Sequence, residues 1–166
     1  MSDQMHSFVC PICRELHPGL PTDSAFTLPD VVWAIAPAER AAHARWTSDL
    51  CQMGDAYFIR CLLPIPFTDQ SGFYGWGVWV GVEWSVFRRY LELYDKDATR
   101  EPAEGGWLAN ELPTYGPTLG LPVRLQFQSS TSRPTVHFAQ DQDHKLAREA
   151  RDGISGERYH EILDAR

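Results

Sequence analysis

The sequence predicts an α+β fold: an antiparallel sheet of about four to six strands with helices packed on one face, preceded by a Cys-containing N-terminal arm. Three observations carry this expectation. Apolar residues alternate with period two in several separate stretches, and they recur at helical spacing in others. Prolines crowd the first part of the chain. The 166 residues suit one domain, so residues 1–30 read as the arm and residues 31–166 as a single α+β domain.

The arm holds Cys10, Cys13, His17 and four prolines, Pro11, Pro18, Pro21 and Pro29. Proline removes a backbone donor and clashes with the preceding turn, so no long helix forms there. Residues 37–46 predict a short helix, with Pro37 in its first turn and alanines in its interior. Residues 56–67 predict a strand with Tyr57, Ile59, Cys61, Leu63, Ile65 and Phe67 on one face. Pro64 and Pro66 cannot donate to a ladder, so its end lies at a sheet edge or leaves the sheet.

Residues 73–83 form the most informative strand. Trp76, Val78, Val80 and Val82 share one face, and Gly75, Gly77, Trp79, Gly81 and Glu83 share the other. Glycines alternating around one Trp leave a flat, backbone-lined surface. A ligand or peptide could approach there, or a helix or loop could pack closely on Trp79. Ser85 is placed to cap a helix running to about Lys96, with Val86, Phe87, Tyr90, Leu91 and Tyr94 as its apolar stripe. Residues 105–108 and 112–116 read as loop. Residues 122–128 and 134–139 predict a hairpin with one wet face carrying Arg124, Gln126, Gln128 and His137. Asp143 and Ser155 are placed to cap two C-terminal helices, with Gly153 ending the first. Ile154 and Tyr159 have the spacing of a hydrophobic staple.

The net charge of −7 is spread along the chain and forms no basic face, which argues against nucleic acid and anionic membrane as partners. The first residues, Met1 to His6, lack the apolar core of a signal peptide. No run approaches the roughly 18 apolar residues that span a bilayer. A cytoplasmic location is expected, where thiols stay reduced.

Cys10-Pro11-Ile12-Cys13, with His17 beyond, has the spacing of half a zinc knuckle, since two thiolates so placed can occupy adjacent corners of a tetrahedron. A closed site needs four ligands, and no second C-x-x-C follows. Cys61 lies on an apolar strand face and reads as core. Cys51, in the polar stretch Ser48-Asp49-Leu50-Cys51, is the better third ligand. Cys10, Cys13, His17 and Cys51 are thus the candidate metal residues and zinc the candidate cofactor; a dithiol without an ion is the other reading. A redox dithiol needs its Cys at a helix N-terminus, which Pro18 and Pro21 oppose. A thiol hydrolase would need Cys51 and a His to converge in space. No nucleophile elbow, P-loop, dinucleotide fingerprint or H-E-x-x-H occurs. His137 could serve a binding surface on the wet hairpin face. Asp141, Asp143 and His144 could attract a metal, although capping by Asp143 explains the same residues.

Several segments together resemble an uncharacterised bacterial group, domain-of-unknown-function family 2199. They are Cys10-x-x-Cys13-x-x-x-His17, Ser48-Asp49-Leu50-Cys51, Gly75-Trp76-Gly77-Val78-Trp79-Val80, Gly106-Trp107-Leu108, Arg133-Pro134, and His144-x-Leu146-Ala147 followed by Asp152-Gly153-Ile154-Ser155. The resemblance implies a small cytosolic bacterial protein with no assigned activity and supplies no catalytic residues. The leading functional expectation is a non-enzymatic protein-interaction module, immunity- or regulator-like. Its binding surface would be Trp79, Gly77, Gly81 and Trp107, and its acidity would suit a basic protein partner. The alternative is a zinc- or thiol-dependent enzyme centred on the C-x-x-C pair.

Overall fold

The computed structural model of the chain describes residues 8–9, 16–17 and 23–165. In chain order the elements are β1 (Phe8–Val9), β2 (Leu16–His17), β3 (Asp23–Ala25), α1 (Asp30–Trp33), a 3-10 turn (Pro37–Glu39), α2 (Arg40–His43), β4 (Arg45–Trp46), β5 (Leu50–Met53), β6 (Ala56–Pro66) and β7 (Phe73–Val82). There follow α3 (Trp84–Leu93), β8 (Glu104–Leu108), β9 (Pro122–Gln126), β10 (Thr135–His137), α4 (Lys145–Asp152) and α5 (Gly156–Asp164). β1 and β2 pair with each other, and the other eight strands make one sheet.

The organising element is the antiparallel hairpin β6–β7, paired from Tyr57 opposite Val82 to Pro66 opposite Phe73. β7, β8, β9, β10 and β6 are joined in a ring, a closed five-stranded barrel. β3 adds outside the ring to β7, and β5 then β4 add to β6. The α+β class stands, but the sheet is mixed rather than antiparallel, because β3 runs parallel to β7 and β10 parallel to β6. It also has more strands than expected. Period-two patterning places faces and is blind to strand direction, which explains the difference. Closure leaves only the short strands β3 and β4 as edges of the eight-stranded sheet.

The helices do not share one face. The barrel interior takes Ile59, Cys61, Leu63 and Ile65 from β6 and Tyr74, Trp76, Val78 and Val80 from β7, all essentially inaccessible. α3 packs where β6 begins, with the Phe87 and Trp84 rings each 5.1 Å from Tyr57. α5 packs where β6 ends, with Tyr159 5.2 Å from Phe67 and 5.4 Å from Tyr74. The outer face of the hairpin builds a second core of Phe58, Trp79, Cys51, Val32, Leu28 and Ala109. Both faces of β6–β7 are therefore buried, as its near-continuous apolar sequence requires.

Local chemistry explains the remaining departures. Residues 37–46 divide into the 3-10 turn, one turn of α2 and the strand β4. Glu83, not Ser85, precedes the first turn of α3. Residues 105–108 belong to β8, where a Cβ on Gly106 would sit 2.7 Å from the Gly81 carbonyl. Glycine is the cost of that close strand approach, and it disguises the strand. His144, not Asp143, caps α4: its Nδ1 accepts from the Leu146 amide while its Nε2 meets the Pro117 carbonyl at 2.8 Å. Asp143 instead pairs with Arg148. Ser155 caps α5 as expected, with both staple residues, Ile154 and Tyr159, buried.

Pro64 and Pro66 point their missing donors to the side of β6 away from β7, beyond the single β10 pairing at Leu62. The Pro66 carbonyl there accepts from the Ile154 amide at 2.8 Å, which stitches the start of α5 to the hairpin. Gly153 makes the approach, at φ 90° and ψ 175°, with Pro66 O only 2.8 Å from where a Cβ would stand. That region of φ/ψ is essentially reserved to glycine. We expect Gly153→Ala to lower unfolding free energy in urea by about 1–3 kcal/mol, with an unchanged slope. A variant as stable as the parent would contradict this docking.

Candidate functional site

Each strand of the central hairpin shares its outer edge between two neighbours. On β7, β3 pairs along Gly75–Gly77 and β8 along Val80–Gly81. On β6, β5 pairs along Ala56–Ile59 and β10 begins at Leu62. At each edge two strand ends meet and leave ladder groups that need partners.

The β7 junction is sealed. Asn110 is fully buried, and its Oδ1 accepts the Trp79 amide at 2.8 Å while its Nδ2 donates to the Leu28 carbonyl and to Asp30 Oδ1. Trp79 O takes the Ala109 amide, and the Trp79 indole donates to the Phe26 carbonyl at 3.0 Å. Trp79 has no exposed surface. Gly77 makes room for Arg60, whose Nη2 lies 2.6 Å from a Cβ there, and Gly81 makes room for the Trp107 ring. The glycines of the expected binding surface are thus filled from within the chain; of that set Trp107 is exposed, at 38 %, and Gly77 is half-buried.

The β6 junction is open. The Arg60 amide donates to the Asp49 carbonyl at 2.9 Å, and the Leu62 amide to the Pro134 carbonyl at 2.8 Å. Asp49 lies just before β5 and Arg133 just before β10, so the shared edge brings these two distant segments together. Arg133 Nε donates to Asp49 Oδ1 at 3.0 Å. The Tyr94 hydroxyl, just past α3, donates to Asp49 Oδ2 at 2.6 Å. Asp49 itself is set by a tight turn in which Thr47 Oγ1 accepts the Asp49 and Leu50 amides.

Around this contact lies a cleft of about 650 Å³. Its apolar wall includes Leu62, Tyr90, Leu93, Ala98 and Phe127, and its polar wall is the hydroxyl-rich turn 129–132 with Gln128, Thr135 and Arg133. That volume suits a small molecule or a few side chains. The Tyr94 hydroxyl, and after it Arg133, hold the Asp49 carboxyl below the ordinary carboxylate range against the opposing effect of burial. The same bond raises the Tyr94 phenol. Asp49 is an ionised anchor here, not a proton donor.

Of the expected metal residues, Cys51 alone is described in full. Cys10 and Cys13, and the side chain of His17, lie outside the described residues; the backbone pairs His17 with Phe8. Cys51 is not in a polar loop but on β5, 1 % exposed, and burial pushes its thiol up to about 11. Cys61 is core, as expected, and burial raises its thiol further. Among the described residues no three His, Cys, Asp or Glu side chains converge to hold a metal. His137 is exposed and its Nε2 meets Thr135 Oγ1 at 2.9 Å, with no carboxylate on its other nitrogen among the described residues. Sequence reading missed Tyr94, assigned to an apolar stripe, and took Arg133 as part of a turn. The density of hydroxyls at 129–132 was the available signal.

A carboxyl held low in the fold stabilises above its unfolded value, and the gain is lost as pH falls through the folded value. At pH 7 the parent is expected to exceed Asp49→Asn by about 1 kcal/mol in urea unfolding, with the gap closing between about pH 5 and pH 2. A gap independent of pH would count against the ionised anchor.

Comparison with known proteins finds one family, described as an uncharacterised protein conserved in bacteria (DUF2199), matching residues 9–154. No curated protein and no solved structure matches the chain. Among the described residues no helix is long and apolar enough to cross a membrane. The match spans most of the arm, both hairpin junctions and the cleft, and the chain belongs to the bacterial DUF2199 family.

Proposed function

We propose that this domain is a non-enzymatic interaction module, of immunity or regulatory kind, whose contact site is the cleft between α3 and the 129–133 turn. One observation carries the reading: of two equivalent junctions on the central hairpin, one is plugged by buried Asn110 and the other is left open yet braced by Asp49. A cleft braced by its own hydrogen bonds needs little reordering on binding, which favours affinity. The groups lining it are binding groups. Its carboxylate is already occupied on both oxygens, and the two described thiols, Cys51 and Cys61, are buried and held protonated.

The zinc- or thiol-dependent alternative now rests on Cys10, Cys13 and His17, since Cys51 lies in the second core. Its support is the C-x-x-C spacing, bracketed by the β1–β2 pair.

Fragment screening of the full chain by amide chemical shifts tests the proposal. Hits are expected to cluster on Tyr94 and residues 129–133 and to be lost in Tyr94→Ala. Hits confined to other surfaces would overturn it. Metal analysis of the same untagged protein addresses the alternative: one zinc per chain, absent from a Cys10→Ser, Cys13→Ser variant, together with a hydrolytic turnover that this variant loses, would replace the interaction reading.

A further inference from the structure

The cleft has a chemical polarity that narrows what it takes. Arg133 lines it and spends only Nε on Asp49; among the described residues its two terminal nitrogens have no partner. An arginine fixed through Nε by a carboxylate presents its remaining edge as a rigid fork, the geometry that matches a carboxylate or phosphate. Beside it the turn adds hydroxyls. Ser129 Oγ bonds Thr131 and Ser132 at 3.2 and 3.3 Å, and these mutual bonds are readily exchanged for bonds to a ligand oxygen.

The cleft carries one charge of each sign, Arg133 and Asp49, so an anion is taken on the free edge of Arg133. Arg60, 8 % exposed and with no ion-pair partner among the described residues, donates to the Phe26 carbonyl and adds a second positive charge that acts on Asp49. Asp49 is the opposing charge, and both its oxygens are already engaged. The C-terminal end of α3 also opposes an anion, so the charged head belongs at the turn, away from Leu93. The facing wall of Tyr90, Leu93, Ala98 and Phe127 offers apolar and aromatic surface.

Building on the cleft reading above, we infer that this site binds a small organic oxyanion, a carboxylate or phosphate carried on an apolar or aromatic body, with the head on Arg133 and the turn hydroxyls. Nothing in the reading requires a covalent step.

The probes are benzoate, phenyl phosphate and neutral benzamide, titrated into the full chain with amide shifts mapped at residues 94 and 128–135. Benzoate or phenyl phosphate is expected to bind there and to weaken about 10- to 100-fold in Arg133→Gln, with Arg133→Lys between the two. Whichever anion binds more tightly distinguishes a carboxylate source from a phosphate source. An unchanged spectrum away from the turn shows that each variant remains folded. Benzamide binding as well as the anions, with no effect of Arg133→Gln, would overturn the oxyanion inference and leave the cleft reading standing. No shift at the cleft with any probe would overturn both.

Discussion

The edge of β6 is shared by two strands that approach it from different parts of the chain, and the rest of the site depends on that constraint. β5 leaves after Ile59 and β10 arrives at Leu62. The ladder cannot be continuous there, so the segments just before the two strands must supply the missing acceptors, and the Asp49 and Pro134 carbonyls do. Once those backbones are fixed, the Asp49 and Arg133 side chains have little choice but to meet. Tyr94 adds the end of α3 to the same carboxylate. One acidic side chain thus ties together three segments that are remote in sequence.

The same hairpin sets the distribution of reactivity. A strand pair that is apolar on both faces needs cover on both, and the chain provides it with the barrel interior on one side and the α1 core on the other. Cys61 falls in the first core and Cys51 in the second. Burial holds both as thiols, because the solvation a thiolate would lose outweighs, at Cys61, the pull of Arg60 and Arg133. Polar chemistry is left to the places where cover runs out. The β7 edge is closed over with a buried amide, and the β6 edge opens into the cleft.

Faces were legible in the sequence and partners were not. Alternation in residues 56–67 and 73–83 identified which side chains enter the barrel, down to Cys61, and the Ser155 cap with its Ile154–Tyr159 staple held. Strand direction and closure leave no mark on a period-two pattern, so the parallel pairings of β3 and β10 could not be read. The glycines of β7 showed that something approaches the backbone. Only the three-dimensional contacts show that it is Arg60 and Trp107 of the same chain. The cleft was illegible for a related reason: Asp49, Tyr94 and Arg133 are each ordinary where they stand in sequence, and their meaning comes from a junction that topology alone creates.

The central claim is that Asp49 and Arg133 are energetically coupled across the β5–β10 junction. A double-mutant cycle of Asp49→Asn and Arg133→Gln, read by urea unfolding at neutral pH, measures this most directly. The account predicts a coupling of about 0.5–1 kcal/mol, with the double variant less destabilised than the sum of the singles. Strict additivity would contradict it, for the two side chains would then be neighbours without being partners.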